Sequence, residues 1–380
     1  MLNRLIWKNK KEDIVVSETK KFRLAVIPGD GIGTEVVEAG LRVIQHLAKN
    51  SNGAFKFETD YFPWGCEYYL KHGKMMDEDG VEKLRDYDAI YFGAVGFPGV
   101  PDHVSLWGLR LAICQGFDQW ANIRPITFLP GVPRRLNHPD LDSLNWVLIR
   151  ENSEGEYSGI GGRNFSGRGH GKEVAVQSAL FTEHGCERII RYAFELARTR
   201  KRKRVTSITK SNAQQYGMVL WDEVFARVSK EYPDVESNQS LVDAAAALFV
   251  LKPEELEVVV ASNLFADILS DLGSALAGSL GLAASANLNP EGRTPSMFES
   301  VHGSAPDIAG QGISNPIGAI GSAALMLDHL GLKEEAELIN KAIEETTRQG
   351  ILTRDLGGTY NTNEITDAII QNLYKVKAEV

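Results

Sequence analysis

The amino-acid sequence predicts an α/β fold. Short apolar runs of strand length alternate with amphipathic stretches of helical period along most of the chain. Glycine or polar turn residues follow the early runs. At 380 residues the chain suggests two or three domain-sized units, or two lobes of one molecule, with room for a sizeable core.

The first run, "FRLAVIP" (22–28), reads as a buried strand. It leads into "GDGIGTE", a glycine cluster that looks like a phosphate-cradling turn. The spacing does not fit a dinucleotide fingerprint: position 34 is Thr, and Asp30 would face a pyrophosphate. Gly29, Gly31 and Gly33 instead predict a tight strand-to-helix turn that walls a cleft. "TEVVEAGLRVIQHLAK" (34–49) carries apolar residues at 36, 37, 41, 44 and 47, an amphipathic helix with Thr34 as its cap.

"YDAIYFGAVG" (87–96) is a second strand. Further strands are predicted at "NWVLIR" (145–150), "RVTSIT" (204–209) and "LEVVVASN" (256–263). Helical patterns occupy 185–199, 217–230, 244–251 and 264–277. The stretch 159–183 departs from this alternation. A glycine-rich loop precedes "EVAVQSALFT", which reads as a strand in an arm or interface ribbon. Residues 1–21 read as an extension, neither signal peptide nor transit peptide.

A formal net charge of −9 argues against non-specific nucleic-acid binding. The basic run at 198–204 is accordingly read as a helix C-terminus and solvated turn. Three scattered cysteines, without CxxC spacing, fit neither a zinc site nor a disulfide framework. A reducing, cytoplasmic location fits best. No run of 18 apolar residues predicts a membrane span.

The strongest chemical signal is "SNLFADILSDLGS" (262–274). Asp267 and Asp271, four apart on a helix, share one face and repel unless a cation lies between them. The neighbours Leu264, Phe265, Ile268, Leu269 and Leu272 predict a well-packed helix. Spacing alone leaves two readings open: a solvated acidic stripe, or part of a site for a hard divalent cation.

A second stretch, "ESVHGSAPDIAGQGISNPIGA" (299–319), weighs between them. With "PGDGIGTE", "NIRP" (122–125), "RENSEGEY" (150–157), "TKSNAQ" (209–214), "VDA" (242–244) and "TRDLGGTYNT" (353–362), it resembles the isocitrate and isopropylmalate dehydrogenases, which are metal-dependent decarboxylating enzymes. The resemblance runs over roughly 22–370. It is narrower still toward the tartrate and D-malate branch, through "WGCEYYLKHGKMM", "FGAVGFPGVPDHVSLWGLRLAICQGFDQWANIRP" and "RENSEGEYSGIGGR".

The resemblance implies a two-lobed fold with a central mixed sheet, not a Rossmann fold. One lobe would join 1–119 with 279–380. The other, 120–278, would carry the arm and a dimer interface. It implies metal ligands at Asp267 and Asp271, with Asp243 supplied by a partner subunit. Lys210 would help remove the hydroxyl proton, also from the partner, and Tyr157 would protonate the enol carbon after CO2 leaves. A lone Lys or Tyr is otherwise more often structural. Arg124 and Arg150 match arginines that grip the departing carboxylate, work suited to bidentate guanidiniums.

The family's further arginine, ten residues before Arg124, is here Cys114. If 105–116 is helical, Arg110 shares its face and takes over the carboxylate contact. Trp107, one turn back, either restricts the substrate to a small dicarboxylate or packs in the core.

The same resemblance places a dinucleotide on the loop His302, Gly303, Ser304, Ala305, Asp307 and Asn315. Asp307 accepts ribose hydroxyls and repels a 2′-phosphate, so NAD is expected rather than NADP. Mn2+ or Mg2+ and a monovalent cation such as K+ complete the expected set. The implied reaction is oxidation, with or without decarboxylation, of tartrate or D-malate by a homodimer with composite sites. Isopropylmalate as substrate, or a non-catalytic regulatory subunit, are the alternatives. The presence of Asp243, Asp267, Asp271, Tyr157 and Lys210 weighs against the latter.

Overall fold

A computed structural model describes residues 19–379. The extension expected over 1–21 lies outside the described residues up to 18, and Lys20 already begins the first strand. Strands β1 (Lys20–Gly29), β2 (Phe55–Tyr61), β3 (Ala89–Ala94), β4 (Ala121–Thr127) and β5 (Asn145–Glu151) come first. Then follow β6 (Gly161–Asn164), β7 (Val174–Gln177), β8 (Arg204–Thr209), β9 (Glu236–Leu241), β10 (Val258–Ala261), β11 (Ala284–Leu288) and β12 (Ser296–Ser300).

Ten of them form one mixed sheet in the order β2-β1-β3-β12-β11-β4-β5-β10-β8-β9. The flanks are parallel, whereas β11 and β4 join the two halves through antiparallel pairs. The first five strands in that order come from before residue 119 or after 279, and the other five from 120–278.

The central strands are apolar because they are covered on both faces: β3 and β10 are buried along their whole length. Helix Asn263–Ala277 lies against β4 and β5. It approaches closely because position 273 is Gly; a Cβ there would sit 2.2 Å from Cδ1 of Ile126 on β4.

Two local expectations are corrected. The first helix spans Gly33–Lys49, and Thr34 lies inside it, bonding back to the carbonyl of Gly31 rather than capping. Ile268 is 59% exposed, so the acidic helix buries Phe265, Ala266 and Leu269 but not that residue.

The expected ribbon is present: β6 and β7 pair antiparallel, exposed on both strands, with Val174 and Val176 turned to solvent. The basic run ends helix Glu183–Thr199, where Arg198 pairs with Asp234 and Arg204 with Glu236. Arg200 and Arg202 lie near the buried Glu257 carboxylate, whose other partners are the N–H groups of Arg202 and Arg204. No helix among the described residues is long and apolar enough to cross a membrane.

Candidate active site

Strand alternation builds the floor of the site. Residues directly opposite on paired strands share a face, as do residues two apart. Arg150 on β5 lies opposite Asn122 on β4, Asn122 opposite Asn287 on β11, and Ser285 opposite Glu299 on β12. Arg124 is two residues from Asn122. Glu299, Asn287, Asn122, Arg124 and Arg150 therefore form one polar row on a single face across four strands. The five are between 0% and 5% exposed, so each needs partners.

They have them. Asn122 donates to Oδ1 of Asn287 at 2.9 Å, and Asn287 donates to Glu299 at 2.7 Å. Arg124 donates through Nε to Asn122 at 2.8 Å and through Nη1 to Ser270 at 2.6 Å and Asp267 at 3.1 Å. Arg150 donates through Nε to Asn263 at 2.9 Å and through Nη1 to Asp267. Tyr157 sits on a turn of 3-10 helix between Gly155 and Gly159, both with positive φ. Its hydroxyl meets Oδ2 of Asp267 at 3.1 Å, and the Arg150 guanidinium lies 5.3 Å from its ring centre.

Arg110 reaches the same place from the wall. The segment 102–116 is helical but not uniform: a π-turn spans Leu106–Arg110 between two α-helical stretches. Arg110 and Cys114 are both buried, at 9% and 2% exposure. Arg110 donates through Nε to Glu299 at 2.8 Å, and its Nη2 lies 2.6 Å from Glu299 and 3.2 Å from Asn287.

Arg110, Arg124, Arg150, Tyr157, Asp267 and Glu299 line a cavity of about 170 Å³, with Phe92–Val95, Leu106 and Ser300–Gly303 as its other walls. Three guanidiniums face two carboxylates there. Burial and the nearby Arg150 push the Arg124 guanidinium down to about 10, against the pull of Asp267. The cavity thus holds more buried positive charge than its own acids satisfy, a condition an anionic ligand relieves. On Asp267, burial works to raise the pKa, but Arg150, Arg124, Arg110 and Tyr157 hold it below the ordinary carboxylate value. Burial and Asp267 push the Tyr157 hydroxyl up, so it stays protonated at neutral pH.

Asp271 is on the same helix one turn on, and no hydrogen bond or ion pair reaches its carboxylate among the described residues. Lys210 and Asp243 do not line the cavity. The parallel register Thr209↔Leu241 places them side by side, and Nζ of Lys210 lies 2.7 Å from Asp243, whose pKa it lowers. Among the described residues no three His, Cys, Asp or Glu side chains gather closely enough to hold a metal within one chain. The all-carboxylate donors nonetheless have the hard-oxygen chemistry that Mg2+ or Mn2+ takes. Trp107 is 37% exposed and outside both core and cavity lining; its indole lies beside Gly159, whose added Cβ would come within 3.3 Å.

The glycine-rich loop follows β12. His302 Nδ1 lies 2.9 Å from the carbonyl of Gly303, Nε2 is enclosed without a partner, and burial lowers the imidazole pKa. A Cβ added at Gly303, Gly310 or Gly312 would meet nothing, so the loop backbone is open to close approach. Ala305 is held at φ 39°, and Asp307 is exposed. This open backbone, with an unpartnered neutral imidazole beside it, fits a dinucleotide. Asn315 is buried; its amide donates to Asp355 at 3.0 Å and accepts from the N–H of Ile317, so its side chain is committed within the protein.

Sequence reasoning did not single out Glu299, Asn287, Asn122 or Asn263. Asn122 and Glu299 stand inside motifs that were read for their arginine and histidine. Asn287 carries no local signal, since only strand register brings it to the site.

The isocitrate/isopropylmalate dehydrogenase family model matches residues 23–369. A probable tartrate dehydrogenase/decarboxylase TtuC′ of Agrobacterium vitis is 55% identical over 350 residues, covering 92% of this chain and 97% of that protein. The decarboxylating D-malate dehydrogenase of Escherichia coli K12 is 49% identical, over 92% of this chain and 98% of that one. Among solved structures, isocitrate dehydrogenase from Methylococcus capsulatus superposes with a TM-score of 0.82 at 33% identity, covering 93% and 99%. The buried arginine row, the acidic helix above it and the glycine-rich loop beside it stand in a chain that belongs to the isocitrate/isopropylmalate dehydrogenase family.

Proposed function

We propose that this chain oxidises a small 2-hydroxy dicarboxylate, tartrate or D-malate, with NAD and Mn2+ or Mg2+, and decarboxylates the product where its stereochemistry allows. D-malate would yield pyruvate, CO2 and NADH; tartrate would yield oxaloglycolate and NADH, or glycerate and CO2 with the hydride handed back and no net NADH. The observation that carries the reading is the cavity with three buried guanidiniums, in a chain about half identical to enzymes named for these substrates. Three cationic groups around so small a space suit a short dianion better than a bulky one.

When bound, the divalent cation supplies Lewis-acid polarisation of the substrate hydroxyl, and the nicotinamide supplies a hydride acceptor. Asp267 and Asp271 would hold the cation with Asp243 of a second copy. Arg124 and Arg150 now spend donors on Asp267. With Asp267 engaged by a cation, those donors would be free to bind the substrate carboxylate that leaves as CO2. Tyr157, protonated and adjacent, would deliver a proton to the carbon left behind. Lys210 of the second copy would take the hydroxyl proton. Those assignments require a homodimer joined through 120–278, with 1–119 and 279–380 forming the cofactor-side lobe. Asp307 favours NAD. Trp107 would stand at the rim. Three free cysteines, all buried, suit a reducing compartment, and we place the enzyme in the cytoplasm.

The test is formation of NADH and release of CO2 by the purified chain with NAD, Mn2+ and K+ on D-malate, L-tartrate, meso-tartrate and isopropylmalate. Turnover of the C4 acids is expected. Activity on isopropylmalate alone overturns the substrate assignment, and no activity with any acid returns the chain to a regulatory role.

A further inference from the structure

We propose that Glu35 is a positioning residue for the dinucleotide loop. It acts as a strut that fixes the 303–314 backbone from the far side. This rests on the assignment of NAD to that loop. Glu35 stands in the first turn of helix Gly33–Lys49, where an acid is favoured by the helix dipole. Such an acid commonly reaches back to its own helix's first N–H groups. Here it does not. The N–H of Ile32 donates instead to the carbonyl of Ser304, at 2.8 Å. The Glu35 carboxylate crosses to the loop, accepting from the N–H of Gly310 at 2.5 Å and the hydroxyl of Ser314 at 3.0 Å.

The same end of the loop is held from a second side. Thr362 donates its N–H to the carbonyl of Gly312 at 2.9 Å and its hydroxyl to the carbonyl of Ser314 at 2.7 Å. The turn before Glu35 is pressed against the loop: a Cβ on Gly31, at φ 59°, would lie 2.0 Å from the Ser304 carbonyl oxygen. Two of the fastened residues, Gly310 and Gly312, are both at positive φ with open space around them. Such glycines cost conformational entropy to order. Without external fastening, the loop would order only when the ligand bound, and affinity would fall accordingly. The carboxylate is thus a frame, not a ligand contact, which suits a group whose charge would repel phosphate.

Glu35→Ala should weaken NAD binding to the Mn2+-loaded protein about tenfold by calorimetry, the weight of one hydrogen bond to a charged acceptor. Amide hydrogen exchange across 303–314 should quicken in the protein without dinucleotide. KM for D-malate should stay within twofold. Glu35→Gln keeps an acceptor for Gly310 and should recover most of the affinity. NAD affinity within twofold of the parent, or unchanged exchange in the loop, overturns the proposal. So does exchange that quickens equally throughout the chain. If Glu35→Ala fails to fold, Ser314→Ala removes one of the two bonds and should weaken NAD about threefold; no change overturns the proposal. If the parent protein binds no NAD, the functional assignment fails, while the exchange comparison still decides whether Glu35 frames the loop.

Discussion

Arg110 is the residue on which substrate choice and fold stability are most entangled, and a double-mutant cycle with Glu299 separates them. Arg110 is buried, and Nε and Nη2 are committed to Glu299 and Asn287. Only Nη1 has no hydrogen bond within the described residues. One charge-assisted bond to a substrate carboxylate is therefore available, worth about 1.5–3 kcal/mol, or roughly 12- to 150-fold in kcat/KM. Arg110→Met removes it. The same change strands the Glu299 carboxylate, itself 5% exposed, and breaking a buried pair costs about 3–5 kcal/mol of stability. A loss of activity in the single variant is thus ambiguous. Arg110→Met with Glu299→Gln removes the stranded charge. Urea unfolding should show the double variant recovering at least about 2 kcal/mol relative to Arg110→Met. Initial rates with D-malate should show no matching recovery in kcat/KM. Recovery of kcat/KM together with stability would refute a substrate contact by Arg110. An unchanged KM in the single variant would refute it independently.

Two further predictions follow from other parts of the molecule. If Asp243 serves the partner's site, subunits carrying Asp243→Asn and Asp267→Asn, each inactive alone, should complement when unfolded and refolded together. Half the randomly formed dimers are mixed and each has one intact site, so about a quarter of parent activity should return; no return would place Asp243 in its own chain's site rather than the partner's. The three cysteines should resist thiol reagents in the folded protein. Burial pushes the thiols of Cys66 and Cys186 up to about 12 and that of Cys114 up to about 11. At pH 8 the thiolate fraction is then on the order of 0.1% or less. Aromatic disulfide reagent should label three thiols only after guanidinium is added, and rapid labelling of the native protein would contradict that burial.

The sequence made the local chemistry legible and left the long-range geometry dark, for a physical reason. Apolar runs such as "NWVLIR" and "RVTSIT" announce themselves because both faces of a central strand are covered. β11 and β12 do not, because "ASANL" and "SMFES" mix small and polar residues with few large apolar ones. That polarity belongs to the site. Polarity that weakened the strand signal supplies Glu299, which lines the cavity, and Asn287, which donates to it. The join between them and β4 is a matter of register between segments some 160 residues apart, which no periodicity reports. The π-turn before Arg110 is equally silent, and so is the pairing of Lys210 with Asp243 within one chain.

The glycine turn at 29–33 shows how a misleading signal and a correct one can occupy the same residues. Its fingerprint spacing is wrong for phosphate, and Asp30 is occupied elsewhere: it accepts the N–H groups of Cys66, at 2.8 Å, and Gly96, at 2.9 Å. None of the turn's residues lines the arginine cavity; Gly29, Asp30 and Gly31 border a separate pocket with Pro306, Ala309 and Gly310. The turn and Glu35 behind it touch the loop to which we assign the dinucleotide, through Ser304, Gly310 and Ser314. An acid that looks wrong for phosphate binding becomes intelligible once its carboxylate is seen to hold loop groups rather than to face a ligand. Its charge then carries an energetic penalty toward a dinucleotide, and that penalty is outweighed only if the ordered loop is worth more. Glu35→Gln bears directly on this balance, since it removes the charge while keeping an acceptor for Gly310.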